Sequence, residues 1–402
     1  MTTPTTDGSK IAQYLKELIS IPSENPPGRT IEVIEWLTNK FSALGFSTKI
    51  LEPRSGKANM VAWKEGSSPG MMLLFNGHVD TVTVNEKLNW NYDPFEGRLS
   101  GGWVYGRGAA DEKGSFATLL AALETLNDMQ LRKGIMVQAV CDEETMGSCG
   151  TAYLIKKDYC KADSGIVMES SVRDGRSFLR IAMRGIMRLQ LETLGKAAHG
   201  SRPHAGVNAN LKMAKLLLDL DKMKLAHQNH RLYGSPTMST GTFLKGGRNF
   251  NVLPDHCIAL SDIRTVPGMT TQGVLEDISK VIRKLSKYDN EMKVVAKVFE
   301  LFKPASISPQ EPIVSLVRDV AKEILGYTPL VEKNGGATDA GLLINKAKIP
   351  TLVGLGPGDV SLGNIHGSDE RVSIEALLEY SELYSKIVKQ MNQTIGVKNR
   401  KT

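Results

Sequence analysis

Cysteine is scarce in this sequence, and its few copies are not paired. The 402-residue chain contains four cysteines, Cys141, Cys149, Cys160 and Cys257, and no two of them form a CxxC or CxxH motif. Zinc fingers and disulfide frameworks both depend on cysteines at characteristic spacings. The arrangement argues against both classes, and we interpret the thiols as buried or half-buried packing residues.

Long apolar runs are also absent from the chain. No segment approaches the roughly 18 consecutive apolar residues of a membrane-spanning helix. The stretch Met1–Lys10 is polar and lacks the apolar core of a secretory signal. From these two observations we expect a protein of the cytoplasm that does not enter a membrane.

The chain lacks a stripe of basic residues interleaved with aromatic ones. Its formal net charge is +7, but the basic residues are spread out, with small clusters only at Arg283–Lys287 and Lys398–Lys401. A solvated surface that favours anionic substrates explains this distribution better than a nucleic-acid interface does. We therefore predict that the protein has no nucleic-acid partner.

Strand and helix patterns alternate along the first part of the chain. Helical spacing of apolar residues in Lys10–Ile19 and Thr30–Leu44 is followed by short apolar runs at Met71–Phe75, Gly134–Cys141 and Ser164–Met168. Such runs are typical of strands buried on both faces. The alternation predicts an α/β fold with a mostly parallel central sheet.

The pattern changes near Phe178. From there to about Phe299 the predicted order is strand, helix, two strands, helix and strand, which is the ferredoxin-like α+β arrangement. The α/β pattern then resumes and ends in a helix at Ser373–Met391. We predict one α/β domain from residues 1–177 and 300–402, with residues 178–299 inserted as a second domain.

Two histidines follow predicted strands. His78 comes directly after the run Met71–Phe75, and His366 lies in the glycine-rich stretch GNIHGSDE after the predicted strand Thr351–Leu355. Active sites of α/β proteins usually lie at the carboxyl ends of parallel strands. Asp80, two residues after His78, is placed to accept the second imidazole hydrogen and fix the tautomer.

Carboxylates also lie just after predicted strands or in a glycine-rich stretch. Asp111 lies in GRGAADEKG, whose spacing is not the GxGxxG of a dinucleotide loop. Glu143 and Glu144 follow the run Gly134–Cys141, and Glu169 follows another apolar run. A metal pair would relieve the repulsion among residues 142–144, so that one glutamate binds a metal and its neighbour acts as a base.

Together, two histidines and three carboxylates at strand ends or in glycine-rich loops form a ligand set for two divalent metal ions. This mixture of nitrogen and oxygen ligands favours Zn²⁺, with Co²⁺ or Mn²⁺ as alternatives. When bound, such ions activate water for hydrolysis at neutral pH. The sequence therefore predicts a metal-dependent hydrolase.

The chain resembles the metallohydrolase family of acetylornithine deacetylase, succinyl-diaminopimelate desuccinylase and carboxypeptidase G. The resemblance extends from IPSENPPG at Ile21 to the last helix. It is most specific in WNYDPFEGRLSGGWVYGRGAADEKG from Trp90 and in GKAAHGSRPHAGVNAN from Gly195. It implies a zinc-binding α/β catalytic domain with an inserted lid and dimerisation domain, and hence a homodimer.

The resemblance also implies roles for individual residues. His78 and His366 would each bind one metal, Asp111 would bridge the two, and Glu144 and Glu169 would complete one site each. Glu143 would be the general base, and Asp80 would orient His78. In the lid, His199 would stabilise the oxyanion, commonly in the partner subunit's site, while Asn251 and Arg264 would contact substrate.

Some positions leave alternatives open. Arg264 is able to grip a substrate carboxylate bidentately, but a structural salt bridge is an equal alternative. The loop Gly335–Gly341 resembles a substrate-side loop without roles for its single residues. Glu112 replaces the methionine often found after the bridging aspartate, Thr83 stands where proline is frequent, and Met168-Glu169-Ser170 replaces Gly-Glu-Pro.

These observations predict an amidohydrolase that cleaves a small N-acyl amino acid with metal-activated water and Glu143 as the base. A dipeptidase or carboxypeptidase with the same metal centre is the alternative. A non-catalytic metal-binding relative is a third possibility, against which the complete ligand set and Glu143 argue.

Overall fold

The computed structural model describes residues 7–84, 89–334 and 336–398. Residues 1–6 of the polar N-terminal stretch, residues 399–401 of the basic C-terminal cluster, and Gly335 lie outside this part. The chain splits into two compact units: unit 1 spans Met1–Ala182, Ser306–Asn334 and Thr338–Thr402, and unit 2 spans Met183–Ala305 and Gly335–Ala337. The domain boundaries expected at residues 177/178 and 299/300 stay a prediction.

The helices and strands follow in chain order. The first part of unit 1 contains α1 (Gly8–Ile19), α2 (Ile31–Ala43), β1 (Ser47–Arg54), β2 (Lys57–Lys64), β3 (Met71–His78), β4 (Arg98–Ser100), β5 (Trp103–Tyr105), α3 (Lys113–Glu124), β6 (Gly134–Val140), α4 (Thr151–Lys156), β7 (Ser164–Val167), β8 (Ser170–Arg173) and β9 (Arg176–Met183). Unit 2 contains β10 (Gly185–Leu194), α5 (Ala209–Asp221), β11 (Thr237–Gly246), β12 (His256–Thr265), α6 (Thr271–Tyr288) and β13 (Lys293–Phe302). The chain continues with β14 (Ala305–Ser306), α7 (Pro312–Leu325), β15 (Leu330–Asn334), α8 (Ala340–Leu342), β16 (Thr351–Leu352), β17 (Gly356–Asp359), β18 (Arg371–Ser373) and α9 (Ile374–Lys398).

Helix boundaries follow the local chemistry of the chain. Asp7 caps α1 by accepting the backbone N–H of Ser9 at 2.9 Å, which satisfies one of the free amides of the first turn. Helix α7 starts with Pro312 and stops at Gly326, whose φ of +73° lies in the left-handed region. In both helices the buried residues recur at helical spacing, so each helix buries one face.

The central sheet of unit 1 has the strand order β1-β2-β6-β3-β7-β16. Strand β3 is parallel to β6 and β7, and β7 is parallel to β16, while β1 and β2 form an antiparallel edge. The carboxyl ends of β3, β6 and β7 therefore lie side by side at one edge of the sheet. The prediction of an α/β fold with a mostly parallel sheet is confirmed.

Helices complete the hydrophobic core of unit 1. Helix α3 is buried along nearly its whole length and packs against α1 and α9. Tyr380 and Tyr384 of α9 are among the largest fully buried side chains, and Tyr384 meets Phe75 of β3 edge to face at 5.4 Å. Within the described ranges, no helix has the length and apolar character needed to cross a membrane.

Unit 2 consists of an antiparallel sheet and two helices. Its strand order is β11-β12-β10-β13, and every neighbouring pair is antiparallel. Alternate residues of β10, including Met187, Leu189 and Leu191, face a core shared with α5 and α6. The chain order of strand, helix, two strands, helix and strand gives the predicted ferredoxin-like arrangement.

Candidate metal centre

His78 is the last residue of β3 and is 2% exposed. Its Nδ1 lies 2.9 Å from the backbone carbonyl oxygen of Asp80, whereas the Asp80 carboxylate is 3.7 Å away. Because a carbonyl oxygen only accepts, Nδ1 carries a proton, so the neutral ring would offer the lone pair of Nε2 to a metal. The backbone oxygen of Asp80 thus lies closer to the imidazole than its carboxylate does, and the orienting role of that carboxylate stays a prediction.

Asp111 offers one carboxylate oxygen to each of the two histidines. Oδ1 lies 3.0 Å from His78 Nε2, and Oδ2 lies 3.2 Å from His366 Nε2. Burial opposes ionisation of Asp111, but hydrogen bonds with the two imidazoles outweigh it and lower its pKa. A carboxylate in this position is able to bridge two cations.

Two groups of potential ligand atoms share Asp111 among the described residues. One contains His78, Asp111, Glu112 and Glu169, and the other contains Asp111, Glu144 and His366, with the atoms of each group within 4.8 Å of one another. His78 Nε2 is 3.7 Å from Glu169, and His366 Nε2 is 3.3 Å from Glu144. The predicted ligands are therefore brought together from five separate segments of unit 1.

Buried carboxylate oxygens show that these residues fit divalent cations. Glu112 Oε2 and Glu144 Oε1 are buried without a hydrogen bond of good geometry, although Glu144 Oε1 approaches the His366 imidazole. Burying an unpaired carboxylate oxygen is costly, and a cation supplies the missing counter-charge. Nitrogen and carboxylate oxygen donors are also the ones that zinc-like ions prefer.

The electrostatics of the metal-free cluster also indicate that these residues fit divalent cations. Burial, followed by the charge of Asp111, raises the pKa of Glu169 to about 8. The hydrogen bond with Asp111 and the nearby Glu144 carboxylate raise the pKa of His366 to about 10. Burial raises the pKa of Glu143 well above its ordinary value, with Glu169 adding to the effect. Protons thus neutralise the crowded carboxylates, and a cation would take their place.

The turn after β6 separates the roles of its three acidic residues. Asp80 accepts the backbone N–H groups of Glu143 at 3.2 Å and Glu144 at 3.3 Å. Asp142 instead has a φ of +73° and pairs with Lys57, which neutralises it. Asp142 therefore shapes the turn, while the side chains of the two glutamates remain for chemistry.

Sequence reasoning missed several residues that support this centre. Asn25 donates to Asp80 Oδ2 at 2.8 Å and to Asp142 Oδ1 at 3.3 Å. Glu112 Oε1 accepts the backbone N–H of His78 at 2.6 Å. The only signals available were that Asn25 lies in IPSENPPG and that Glu112 departs from the usual methionine. Neither pattern indicated a contact partner.

The predicted lid residues His199, Asn251 and Arg264 all lie in unit 2. His199 is exposed, and its Nδ1 accepts the backbone N–H of Ser201 at 3.2 Å. Asn251 is exposed in the segment before β12. The Arg264 guanidinium donates to both carboxylate oxygens of Asp262, at 2.6 and 3.3 Å, so an ion pair is present there.

The pattern of Peptidase family M20/M25/M40 matches residues 74–390. Among similar proteins, N-formyl-4-amino-5-aminomethyl-2-methylpyrimidine deformylase of Bacillus subtilis is 28% identical over 93% of this chain and 92% of its own. Acetylornithine deacetylase of Buchnera aphidicola is 28% identical over 94% of this chain and 98% of its own.

A solved structure has the same fold. The tripeptidase of Staphylococcus aureus superposes with a TM-score of 0.79 at 24% identity, covering 97% of this chain and all of the tripeptidase chain (100%). Because the family pattern covers most of the chain, the prediction of a hydrolase acting on amide bonds is confirmed. The chain belongs to Peptidase family M20/M25/M40.

Proposed function

We propose that this protein removes a small acyl group from an amino-acid-like amine by hydrolysing the amide bond at a two-metal centre. The observation that carries the proposal is the position of Asp111, with one carboxylate oxygen close to each of two imidazoles. The deformylase and the deacetylase named above also release an acyl group from an amine, and both match nearly the full chain.

His78 and Glu169 would hold one ion, His366 and Glu144 the other, and Asp111 would bridge them. When bound, the two ions supply Lewis-acid chemistry, which polarises the amide carbonyl and lowers the pKa of water. Zn²⁺ is our preferred ion because the donors are imidazole nitrogens and carboxylate oxygens. Co²⁺ and Mn²⁺ are the alternatives for the same ligand set.

Glu143 would be the general base. Its backbone N–H is held by Asp80, and it directly precedes the proposed ligand Glu144 in the same turn. Its carboxylate would take a proton from the attacking water and deliver it to the departing amine. In the metal-free cluster burial raises its pKa, and bound cations would oppose this shift and favour the ionised form that acts as a base.

Unit 2 would supply the remaining polar groups. Since His199 Nδ1 accepts an N–H, the neutral ring carries its proton on Nε2 and presents a donor for an oxyanion. Arg264 would bind a substrate carboxylate by exchanging Asp262 for it. Asn251 would contribute a further substrate contact.

The protein is proposed to form a homodimer through unit 2. Strand β11 lies at an edge of the sheet and exposes Phe243 and Leu244, which are 48% and 59% accessible. On the neighbouring helix α5, Leu211 and Leu218 are each 62% exposed. An exposed edge strand with apolar side chains is a ready pairing surface for a second copy.

The free, buried state of all four cysteines supports a cytoplasmic location.

A substrate panel tests the proposed reaction. N-formyl, N-acetyl, N-succinyl and N-carbamoyl amino acids and a set of dipeptides would be incubated with metal-stripped protein, with and without added Zn²⁺, Co²⁺ or Mn²⁺. We expect metal-dependent release of free amine from N-acyl amino acids. Cleavage of dipeptides alone would favour the dipeptidase alternative. Equal activity with and without metal would refute the two-metal proposal.

A further inference from the structure

Arg107 and Glu370 form a buried ion pair beside the metal centre. Nη1 of Arg107 lies 2.6 Å from Oε2 of Glu370, and the two side chains are 3% and 1% exposed. The two residues belong to the segments that carry Asp111 and His366, which are far apart in the sequence. The pair therefore joins two loops that each deliver a ligand to the same proposed site.

Glu370 holds the backbone next to Asp111. Its Oε1 accepts the N–H of Ala110 at 3.0 Å and the N–H of Asp111 at 3.1 Å. The peptide that carries the bridging carboxylate is thus fixed by one buried oxygen, and the second oxygen is fixed by Arg107. Hydrogen bonds to a charged acceptor are stronger than those between neutral groups.

Arg107 holds the backbone of His366. Its Nη2 donates to the carbonyl oxygen of His366 at 3.3 Å, and its guanidinium lies over the Trp90 ring, 5.3 Å from the centroid. His366 has a φ of +65°, an unfavourable conformation for a residue with a Cβ. Its side chain is also 50% exposed, so packing contributes little to holding it in place.

We propose that Arg107 and Glu370 are a positioning pair that fixes Asp111 relative to His366 and so sets the metal affinity of the site formed by Asp111, Glu144 and His366. The inference rests on the proposed two-metal centre. The other site has anchors of its own. His78 donates its backbone N–H to Glu112, and its Nδ1 faces the Asp80 carbonyl. Loss of the pair should therefore weaken one metal site selectively.

A purely structural role would not weaken one metal site more than the other. Replacing both members of a buried ion pair with neutral side chains of similar size is often neutral for stability, whereas removing one member leaves a buried charge. The test is therefore the double variant Arg107→Met/Glu370→Gln. The glutamine keeps an oxygen for the Ala110 and Asp111 amides, while the contact with the His366 carbonyl is lost.

The full chain, stripped of metal, would be titrated with Zn²⁺ in a calorimeter, and its thermal melting would be recorded alongside. The double variant should bind the first equivalent of Zn²⁺ with a Kd within about threefold of the wild-type value. Its Kd for the second equivalent should be about 10- to 100-fold higher than in wild type, as is typical when a metal ligand loses its outer contacts. The control is Arg173→Met/Glu332→Gln, which removes an ion pair that is partly exposed and whose members the centre does not use. His366→Ala supplies the reference curve for a chain without the second site.

The outcomes separate the inference from the proposed function. The inference is supported if the wild-type chain binds two equivalents of Zn²⁺ and the double variant loses affinity selectively for the second. Wild-type affinity for both equivalents, or an equal loss at both sites, overturns the positioning role and leaves the two-metal proposal standing. Fewer than two equivalents in wild type overturn both.

Discussion

The Oδ1 atom of Asp80 accepts the backbone N–H of Glu143 at 3.2 Å. The other carboxylate oxygen accepts from Glu144 at 3.3 Å and from Asn25 at 2.8 Å. All three partners are donors, so a side chain with two acceptor oxygens matches them better than an amide with only one. The Asp80 side chain is thus a support for the turn that carries the proposed base and one proposed ligand.

Replacing Asp80 with Asn is expected to reduce turnover while sparing the His78 metal. The amide would turn an N–H₂ group towards at least one of the three donors, loosen the turn and lower kcat roughly 10- to 100-fold. Metal at His78 should remain, since Nδ1 faces the backbone carbonyl that the variant keeps. Steady-state kinetics and elemental analysis check both parts.

The matched comparison for this variant is His78→Ala, which removes a proposed ligand. If Asp80→Asn loses metal to the same extent as His78→Ala, the carboxylate acts on the imidazole after all. Wild-type kcat in Asp80→Asn would contradict the turn-supporting role.

Glu143→Gln should retain two metals per chain and lose nearly all turnover. The glutamine has almost the same size but is unable to take a proton, and general-base catalysis typically contributes about 10²- to 10⁴-fold. Metal content and kcat on the best substrate of the panel measure the two effects. Glu375→Gln, an exposed position at the start of α9, serves as the control. Substantial kcat in Glu143→Gln would remove this residue from the mechanism.

The clustering of the proposed ligands was predictable in part because parallel strands deliver their carboxyl ends to one edge of a sheet. His78 ends β3, and Glu144 and Glu169 follow β6 and β7, which are the two neighbours of β3. An apolar run followed by a histidine or carboxylate is therefore a local pattern, yet it predicts which residues far apart in the sequence come together. The ferredoxin-like order of unit 2 was predictable for the same reason, since each element has its own apolar periodicity.

The supporting contacts were not predictable, since they join segments that no local pattern connects. Arg107 and Glu370 meet across 263 residues, and Asn25 reaches Asp142 across 117. Whether the carbonyl oxygen or the carboxylate of Asp80 lies closer to His78 depends on distances near 3 Å, which the spacing of residues in the sequence does not determine.

The metal-free protein should become less stable as the pH rises. Burial raises the pKa of Glu169 from 4.5 to about 8, and carboxylate hydrogen bonds raise that of His366 from 6.5 to about 10. Buried Lys113 shifts the other way, since desolvation lowers its pKa to about 7, but the raised pKa values of buried Glu112 and Glu143 offset it. Glu169 and His366 hold their protons more tightly in the folded chain, so the folded state binds more protons than the unfolded state. Their stabilisation is complete below pH 4.5 and 6.5, respectively, and is lost as the pH passes through about 8 and about 10.

Thermal melts of the metal-stripped chain between about pH 6 and about pH 10 measure this effect, with the melting temperature expected to fall. Zinc-loaded protein should show a weaker dependence, because the bound cations have already displaced these protons. Glu169→Gln removes one titrating group and should flatten the metal-free curve. A melting temperature that is constant or rises over this range in metal-free wild type would contradict the assignment.

The proposed dimer makes a prediction about mixtures of inactive variants. His199→Ala and Glu143→Gln are each expected to be nearly inactive, since one lacks the oxyanion donor and the other lacks the base. If His199 acts in the site of the partner subunit, a mixed dimer contains one site with both residues intact. Equal amounts of the two variants, unfolded and refolded together, should then recover about a quarter of wild-type kcat, because half of the dimers are mixed and each has one active site.

The exposed neighbouring residue His204 supplies the control for this experiment. His204→Ala should be fully active alone, and each inactive variant refolded with itself should stay inactive. Recovery in the mixture would support both the homodimer and the action of His199 across it. No recovery, with mixed dimers verified by mass, would mean that His199 serves the site of its own chain. A monomer in solution would instead remove the dimer from the proposal, leaving the metal centre of unit 1 unaffected.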